Sequence, residues 1–424
     1  MAREPRSVSV WADWQELGTP LRMGLLRDEV GSGRREVISF EYDRGWLDSP
    51  HARHLDPALY LAPGRQYLPD EKPNFGVFLD SSPDRWGRVL MDRREALRAR
   101  EEGRKARGLL SMDYLLGVYD GHRMGALRFR VDDGPFLDDD ATYASPPWAT
   151  LRELEHASLA LERDDAERDP AFGKWLRMLI APGRSLGGAR PKASVLDEHQ
   201  RLWIAKFPSA RDTIDVGAWE GLIHRLAGRA GLSTAESRCQ RFASHHHTFI
   251  TRRFDRPAPG KRIHFASAMT LLQHDDGDDG ASYLELAEFI MQTSSQPAQD
   301  LEQLWRRIVF YICVANTDDH LRNHGFLLSP ADGWALAPAY DINPVPDGAG
   351  LALNISEHDN TRDLTLALEV AGNFRVKPKR AQEIVRDVCL VVRGWRAEAE
   401  SAGLPRDEQD RMADAFTIAE ASPA

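Results

Sequence analysis

Two short stretches hold residue types at spacings that suit chemistry on a phosphate: Thr317-Asp318-Asp319-His320-Leu321-Arg322-Asn323 and Tyr340-Asp341-Ile342-Asn343. An Asp and an Asn five positions apart after an apolar helix can supply one proton acceptor and one oxygen ligand for a cation. A second Asp at the end of a strand can supply another ligand, the oxygen-rich set that Mg²⁺ takes. Counting back five from Asn323 selects Asp318 as the acceptor, although Asp319 adjoins it. Taken singly, an Asp or Asn after a helix is as readily a cap or turn residue, because both side chains bond to nearby backbone.

Further signals precede these in the chain. Ser185-Leu186-Gly187-Gly188-Ala189-Arg190-Pro191-Lys192 reads as a glycine-containing turn, and Lys206 closes the apolar strand Leu202-Trp203-Ile204-Ala205-Lys206. Each is weak alone, since glycine serves any tight turn and a lone strand lysine commonly lies along the surface. Together they run glycine turn, strand lysine, proton-accepting Asp, metal Asp, the order in which protein kinases set out the parts that transfer phosphate from ATP with Mg²⁺. Glu220 stands where a kinase keeps the acid that pairs its strand lysine; a solvated glutamate is the competing reading.

The elements that must position these residues can be read from periodicity. Residues 8–11, 21–26 and 36–42 cluster β-formers, with Gly31-Ser32-Gly33 as a hairpin turn. A proline-dotted connection over 57–73 leads to a helix beginning near Pro83-Asp84 and running through Arg104, with Trp86 buried and Arg85 paired to an acid. Breakers over 131–148 make a linker. A helical pattern follows from Leu151, then strands over 193–196 and 202–207. Thr213 or Asp215 caps the next helix, in which Trp219, Leu222, Ile223, Leu226 and Ala230 recur at helical spacing and which Gly231 closes. Leu304, Trp305, Ile308, Val309, Ile312 and Cys313 form a buried stripe that delivers the chain to Asn316 and Thr317, and residues 381–397 form a further amphipathic helix.

Other features exclude. Consecutive histidines, His245-His246-His247, alternate faces on a strand and read as a polar hairpin tip rather than a metal site. The acidic run 275–280 lacks the spaced oxygens and closing Glu of a calcium loop. Three cysteines without metal spacing cannot all pair and fit a reducing compartment. With 55 basic against 65 acidic residues the net charge is -10, which gives no broad nucleic-acid surface. No stretch approaches the roughly 20 apolar residues of a membrane span, and the start lacks a signal-peptide core, so the reading is a cytoplasmic protein with no membrane partner.

The chain resembles the HipA-type serine/threonine kinases, toxins of bacterial toxin-antitoxin pairs. The likeness is carried by Pro20-Leu21-Arg22, Pro83-Asp84-Arg85-Trp86-Gly87-Arg88, Gly125-Ala126-Leu127-Arg128-Phe129, Gly-Gly-Ala-Arg-Pro-Lys ending at Lys192, Arg253-Phe254-Asp255-Arg256, the 317–323 loop and Tyr340-Asp341. The resemblance implies a two-lobed, protein-kinase-like α+β fold: an N-terminal α/β domain over 1–135, an ATP-binding lobe over 136–254 and a helical catalytic lobe over 255–424. It implies that Ser185, Gly187, Gly188, Ala189, Lys192 and Lys206 face the phosphates, with Glu220 behind them. Arg253 and Phe254 would line the adenine, and Asp255 would face the ribose. His320 would touch phosphate or brace the loop, Asp318 would be the base, and Asn323 and Asp341 would hold Mg²⁺.

By position Ser185 matches the family's regulatory autophosphorylation site. The implied partner is a HipB-like helix-turn-helix antitoxin, through which alone the chain would meet DNA. The family precedent for a protein substrate is an aminoacyl-tRNA synthetase, a translation-related target. Arg190-Pro191 within the turn and Arg252 at the hinge depart from the best-known members and bear on fine contacts, not on the reaction class. Two alternatives keep the same site: a pseudokinase-like module that binds nucleotide to sequester a partner, and an AMP transferase with ATP reversed.

Overall fold

A computed structural model of the protein describes residues 6–30, 36–68, 72–132, 134–137, 146–180, 188, 190–278 and 280–422. The chain divides into two compact units, the first comprising residues 1–210 with 255–266 and the second 211–254 with 267–424. This division by packing is drawn at other positions than the three segments expected from the sequence. The turn Gly31 to Gly33 lies outside the described residues.

In the first unit an antiparallel sheet runs in the order β4-β3-β2-β1-β5, from β1 (Arg6–Ala12), β2 (Leu21–Val30), β3 (Glu36–Tyr42), β4 (Arg65–Tyr67) and β5 (Leu127–Arg130). Its register aligns Val8 with Leu26 and Leu26 with Phe40, so one face becomes a continuous buried row. Gly24 is required there, because a Cβ would stand 2.2 Å from the Glu41 carbonyl oxygen.

The helix Arg85–Glu101 begins as expected: Asp84 accepts the Gly87 amide at 2.8 Å, and Trp86 is buried. Arg85, expected in an ion pair, is instead exposed and has no acidic partner among the described residues. It is the first residue after the cap and projects away from the buried face carried by Trp86 and Leu90. Helices Leu151–Leu161 and Phe172–Ile180 follow, then the antiparallel hairpin β6 (Lys192–Leu196) and β7 (Leu202–Lys206).

In the second unit Asp215 caps the helix Val216–Arg229, accepting the Ala218 amide at 3.1 Å. The same carboxylate binds the backbone amide of His247 at 2.8 Å and its Nδ1 at 2.6 Å. That contact closes the tip between β8 (Ser237–Gln240) and β9 (Thr248–Arg252), which pair antiparallel. No metal-holding cluster of His, Cys, Asp or Glu occurs among the described residues. The chain passes from the first unit back into the second through a short strand, β10 (Phe265–Ser267), which precedes the helical part.

There Ser282 and Glu285 form a capping box for helix Tyr283–Thr293. Helix Pro297–Val314 is buried along nearly all of its length, as its apolar stripe requires. Cys313 is core, with its Sγ 3.8 Å from that of Cys389 on helix Pro378–Arg393. The hairpin β11 (Gly325–Leu328) and β12 (Trp334–Leu336) completes the elements around the Asp318 loop. No helix among the described residues is long and apolar enough to cross a membrane.

Candidate active site

The loop that carries Asp318 is shaped by the way its helix ends. Pro297–Val314 stops at Ala315, whose φ of 52° is left-handed and turns the chain out of the helix. The next residue, Asn316, is buried, and its Oδ1 accepts the Asn343 amide at 3.1 Å, tying the loop to the Asp341 segment. Asn323 closes the loop by donating from Nδ2 to the Asp318 carbonyl at 2.9 Å. Its Oδ1 is buried and accepts no hydrogen bond from a described residue. Such an atom retains its capacity to ligate a hard cation.

Asp341 sits at φ 56°, a conformation that costs a non-glycine residue energy and that surrounding contacts must hold. On one side Asn343 donates from Nδ2 to Asp341 Oδ1 at 3.3 Å. On the other, the Tyr340 hydroxyl donates to the Arg322 carbonyl at 2.7 Å, and the Phe254 ring lies 5.6 Å from that of Tyr340. The Asp341 carboxylate and the Asn323 amide therefore belong to one bonded frame. His320 is half-buried in the same loop, with its Nδ1 unpartnered among described residues.

Sequence alone left the adjacent acids ambiguous, and their environments separate them. Asp318 is exposed, whereas Asp319 is 1% exposed. Asp319 Oδ2 accepts the Tyr283 hydroxyl and lies 2.8 Å from Nε2 of the fully buried His324. Burial, and then the Asp319 charge, push the Tyr283 hydroxyl well above the usual tyrosine range, so it remains a neutral donor. Arg322 reaches outward instead and pairs with Asp276 of the acidic run at 2.7 Å. The roles of Tyr283, His324, Asn316 and Asn343 were not anticipated. His324 at least adjoins the motif, but Tyr283 lies 36 positions from its partner and has no local signal.

Of the remaining expected site residues, those in the first unit behave as follows. The register of β6 and β7 sets Lys192 directly opposite Lys206, so both side chains leave the same face. Lys206 is half-buried; Lys192 is 1% exposed, with Nζ 2.8 Å from Asp84 Oδ2. Gly188 is exposed at φ 85°, which favours glycine. Ser185, Gly187 and Ala189 lie outside the described residues. Asp255, expected to face the ribose, is 0% exposed, and its Oδ2 accepts the Gly125 amide at 2.9 Å and pairs with Arg256 at 2.7 Å. A carboxylate so enclosed anchors backbone.

In the second unit Glu220 is 3% exposed within its helix, which removes the solvated reading. Arg253 is buried, and Phe254 is half-buried against Tyr340.

The architecture and these residues define a class that comparison makes explicit. A family model for the HipA-like C-terminal domain matches residues 184–395, and the chain belongs to that family. A solved HipA from Shewanella oneidensis MR-1, in a complex with HipB and operator DNA, shares the fold with a TM-score of 0.61 at 17% identity, over 94% of each chain. The two-lobed α+β class expected from the sequence is therefore the fold observed. Among curated relatives, a putative kinase of Haemophilus influenzae is 28% identical over 39% of this chain and 54% of its own length. The putative kinase Y4mE of Sinorhizobium fredii is 28% identical over 94% of this chain and 86% of its own.

Proposed function

We propose that the protein is a HipA-type serine/threonine protein kinase that uses ATP and Mg²⁺. One observation supports this above the rest: an exposed Asp318 stands on a loop pinned by Asn323, whose Oδ1 remains open, in the same bonded frame as Asp341. The two oxygen donors suit Mg²⁺, and Asn323 and Asp341 would hold it; the ion supplies charge neutralisation on the phosphates.

In the transfer itself a substrate hydroxyl oxygen bonds to the γ-phosphorus while the bond from that phosphorus to the β–γ bridging oxygen breaks. ADP leaves with the electron pair, and the hydroxyl proton passes to Asp318. Lys206 holds the α- and β-phosphates. Ser185 is the autophosphorylation site that turns the enzyme off, since a charge of about -1.5 to -2 there opposes ATP phosphates. The substrate is a translation-related protein, of which an aminoacyl-tRNA synthetase is the favoured case, and the partner is a HipB-like helix-turn-helix antitoxin that carries the DNA contact. The chain acts in the bacterial cytoplasm as a growth-arresting toxin.

Parallel incubation with γ-labelled and α-labelled ATP tests the reading. Label on protein from the γ-position alone supports a kinase. Label from the α-position shows AMP transfer, and nucleotide binding with neither label shows a sequestering module.

A further inference from the structure

We propose that Asp84 is a positioning residue for the glycine-containing turn, acting through Lys192; this rests on reading that turn as the ATP phosphate site. The Pro83-Asp84-Arg85-Trp86-Gly87-Arg88 segment has no role in the mechanism above, yet its acid is built into the turn's support. Asp84 divides its carboxylate. Oδ1 caps the helix Arg85–Glu101 at the Gly87 amide, 2.8 Å away, and Oδ2 holds Lys192 Nζ at 2.8 Å. Both charged side chains are almost fully enclosed, at 4% and 2% exposure. The ammonium also lies 3.5 Å from the Gly188 carbonyl, at the outer limit of a hydrogen bond.

Register supplies the electrostatic reason. Lys192 and Lys206 are direct partners across the β6–β7 hairpin, so two ammonium groups leave one face side by side, an arrangement that repels unless one is neutralised. Asp84 neutralises Lys192 within that pair. Lys192 then acts as a strut: it fixes the C-terminal end of the turn to a helix cap 108 positions earlier in the chain. Breaking a buried pair by removing one member leaves an uncompensated charge, so the two residues should behave as a unit.

The test uses the full-length chain as Asp84→Asn, Asp84→Glu, Lys192→Met, Asp84→Asn with Lys192→Met, and Lys206→Met as reference. Two readouts are taken: ATP dissociation constants with Mg²⁺, and amide hydrogen exchange of the peptide from Gly188 to Leu196 without nucleotide. Each single charge removal is expected to speed exchange and weaken ATP binding by about 10-fold, with the double variant no worse than either single and Asp84→Glu intermediate. If the single variants do not fold while the double does, that coupling itself supports the latch. The proposal is overturned if Asp84→Asn leaves exchange unchanged, or if it binds ATP normally while Lys192→Met does not, since Lys192 would then touch phosphate directly. Faster exchange in Asp84→Asn with no ATP binding by any form, wild type included, would support the latch and overturn the ATP reading instead.

Discussion

Replacing Asp319 separates its structural role from the chemistry assigned to its neighbour. Its carboxylate accepts from Tyr283 and is paired with His324, and all three side chains are buried. A hydrogen bond to a charged group contributes about 1.5–3 kcal/mol, and breaking a buried network typically costs about 3–5 kcal/mol. Asp319→Ala should therefore destabilise the second unit by about 3–5 kcal/mol. At about 2–4 °C per kcal/mol for a unit near this size, the melting transition falls by about 6–20 °C. Asp319→Asn keeps an acceptor and should lose about half as much, while Asp318→Asn, at an exposed position, should stay within about 0.5 kcal/mol. Thermal unfolding measures the stability, and single-turnover kinetics on the folded fraction measures chemistry. Asp318→Asn is expected to cut turnover by about 10²-fold or more with ATP binding retained. A stable but inactive Asp319→Asn beside an Asp318→Asn that retains turnover would make Asp319 the proton acceptor and refute the assignment of Asp318.

Further outcomes follow from other sites. Asp341→Ala should abolish Mg²⁺-dependent transfer, because water cannot replace a carboxylate fixed at that backbone conformation; unchanged activity would remove the metal assignment. Mass spectrometry of protein expressed as wild type and as Asp318→Asn should find phosphate on Ser185 in the first and none in the second. An unmodified Ser185 in active, ATP-exposed wild type would end the switch model. Glu36 is pushed up to about 7 by burial and then by Asp28, so its contribution to stability is present below its ordinary value and lost as pH rises through about 7. Denaturant titration of Glu36→Gln should accordingly show a gain over wild type at pH 8 that disappears at pH 4; an equal effect at both would refute the titration argument.

What could be read from the sequence was local in character. The strands β1 to β3, the helices begun by Asp84 and Asp215, and the stripe of Pro297–Val314 all repeat at the period of their element, so burial on one face is written into consecutive residues. The pattern from Asp318 to Asn323 was legible for the same reason, since one loop carries both. Contacts between distant segments leave no such trace. Asp255 looks like any exit-loop acid until its bond to Gly125, 130 positions away, shows it to be enclosed. Asp84 on Lys192 and Tyr283 on Asp319 are likewise products of tertiary approach. Asp318 and Asp319 are the same residue type side by side, and only burial distinguishes them.

In the proposed reaction this HipA-family chain moves the γ-phosphoryl group of ATP to a protein hydroxyl with Asp318 as base. The most direct measurement is label incorporation into protein from γ-labelled ATP, by wild type and by Asp318→Asn, at equal ATP occupancy and with Mg²⁺ present. Label is expected on serine or threonine with wild type, and at about a hundredth of that rate or less with Asp318→Asn. Equal labelling by both proteins, or transfer only from α-labelled ATP, would contradict it.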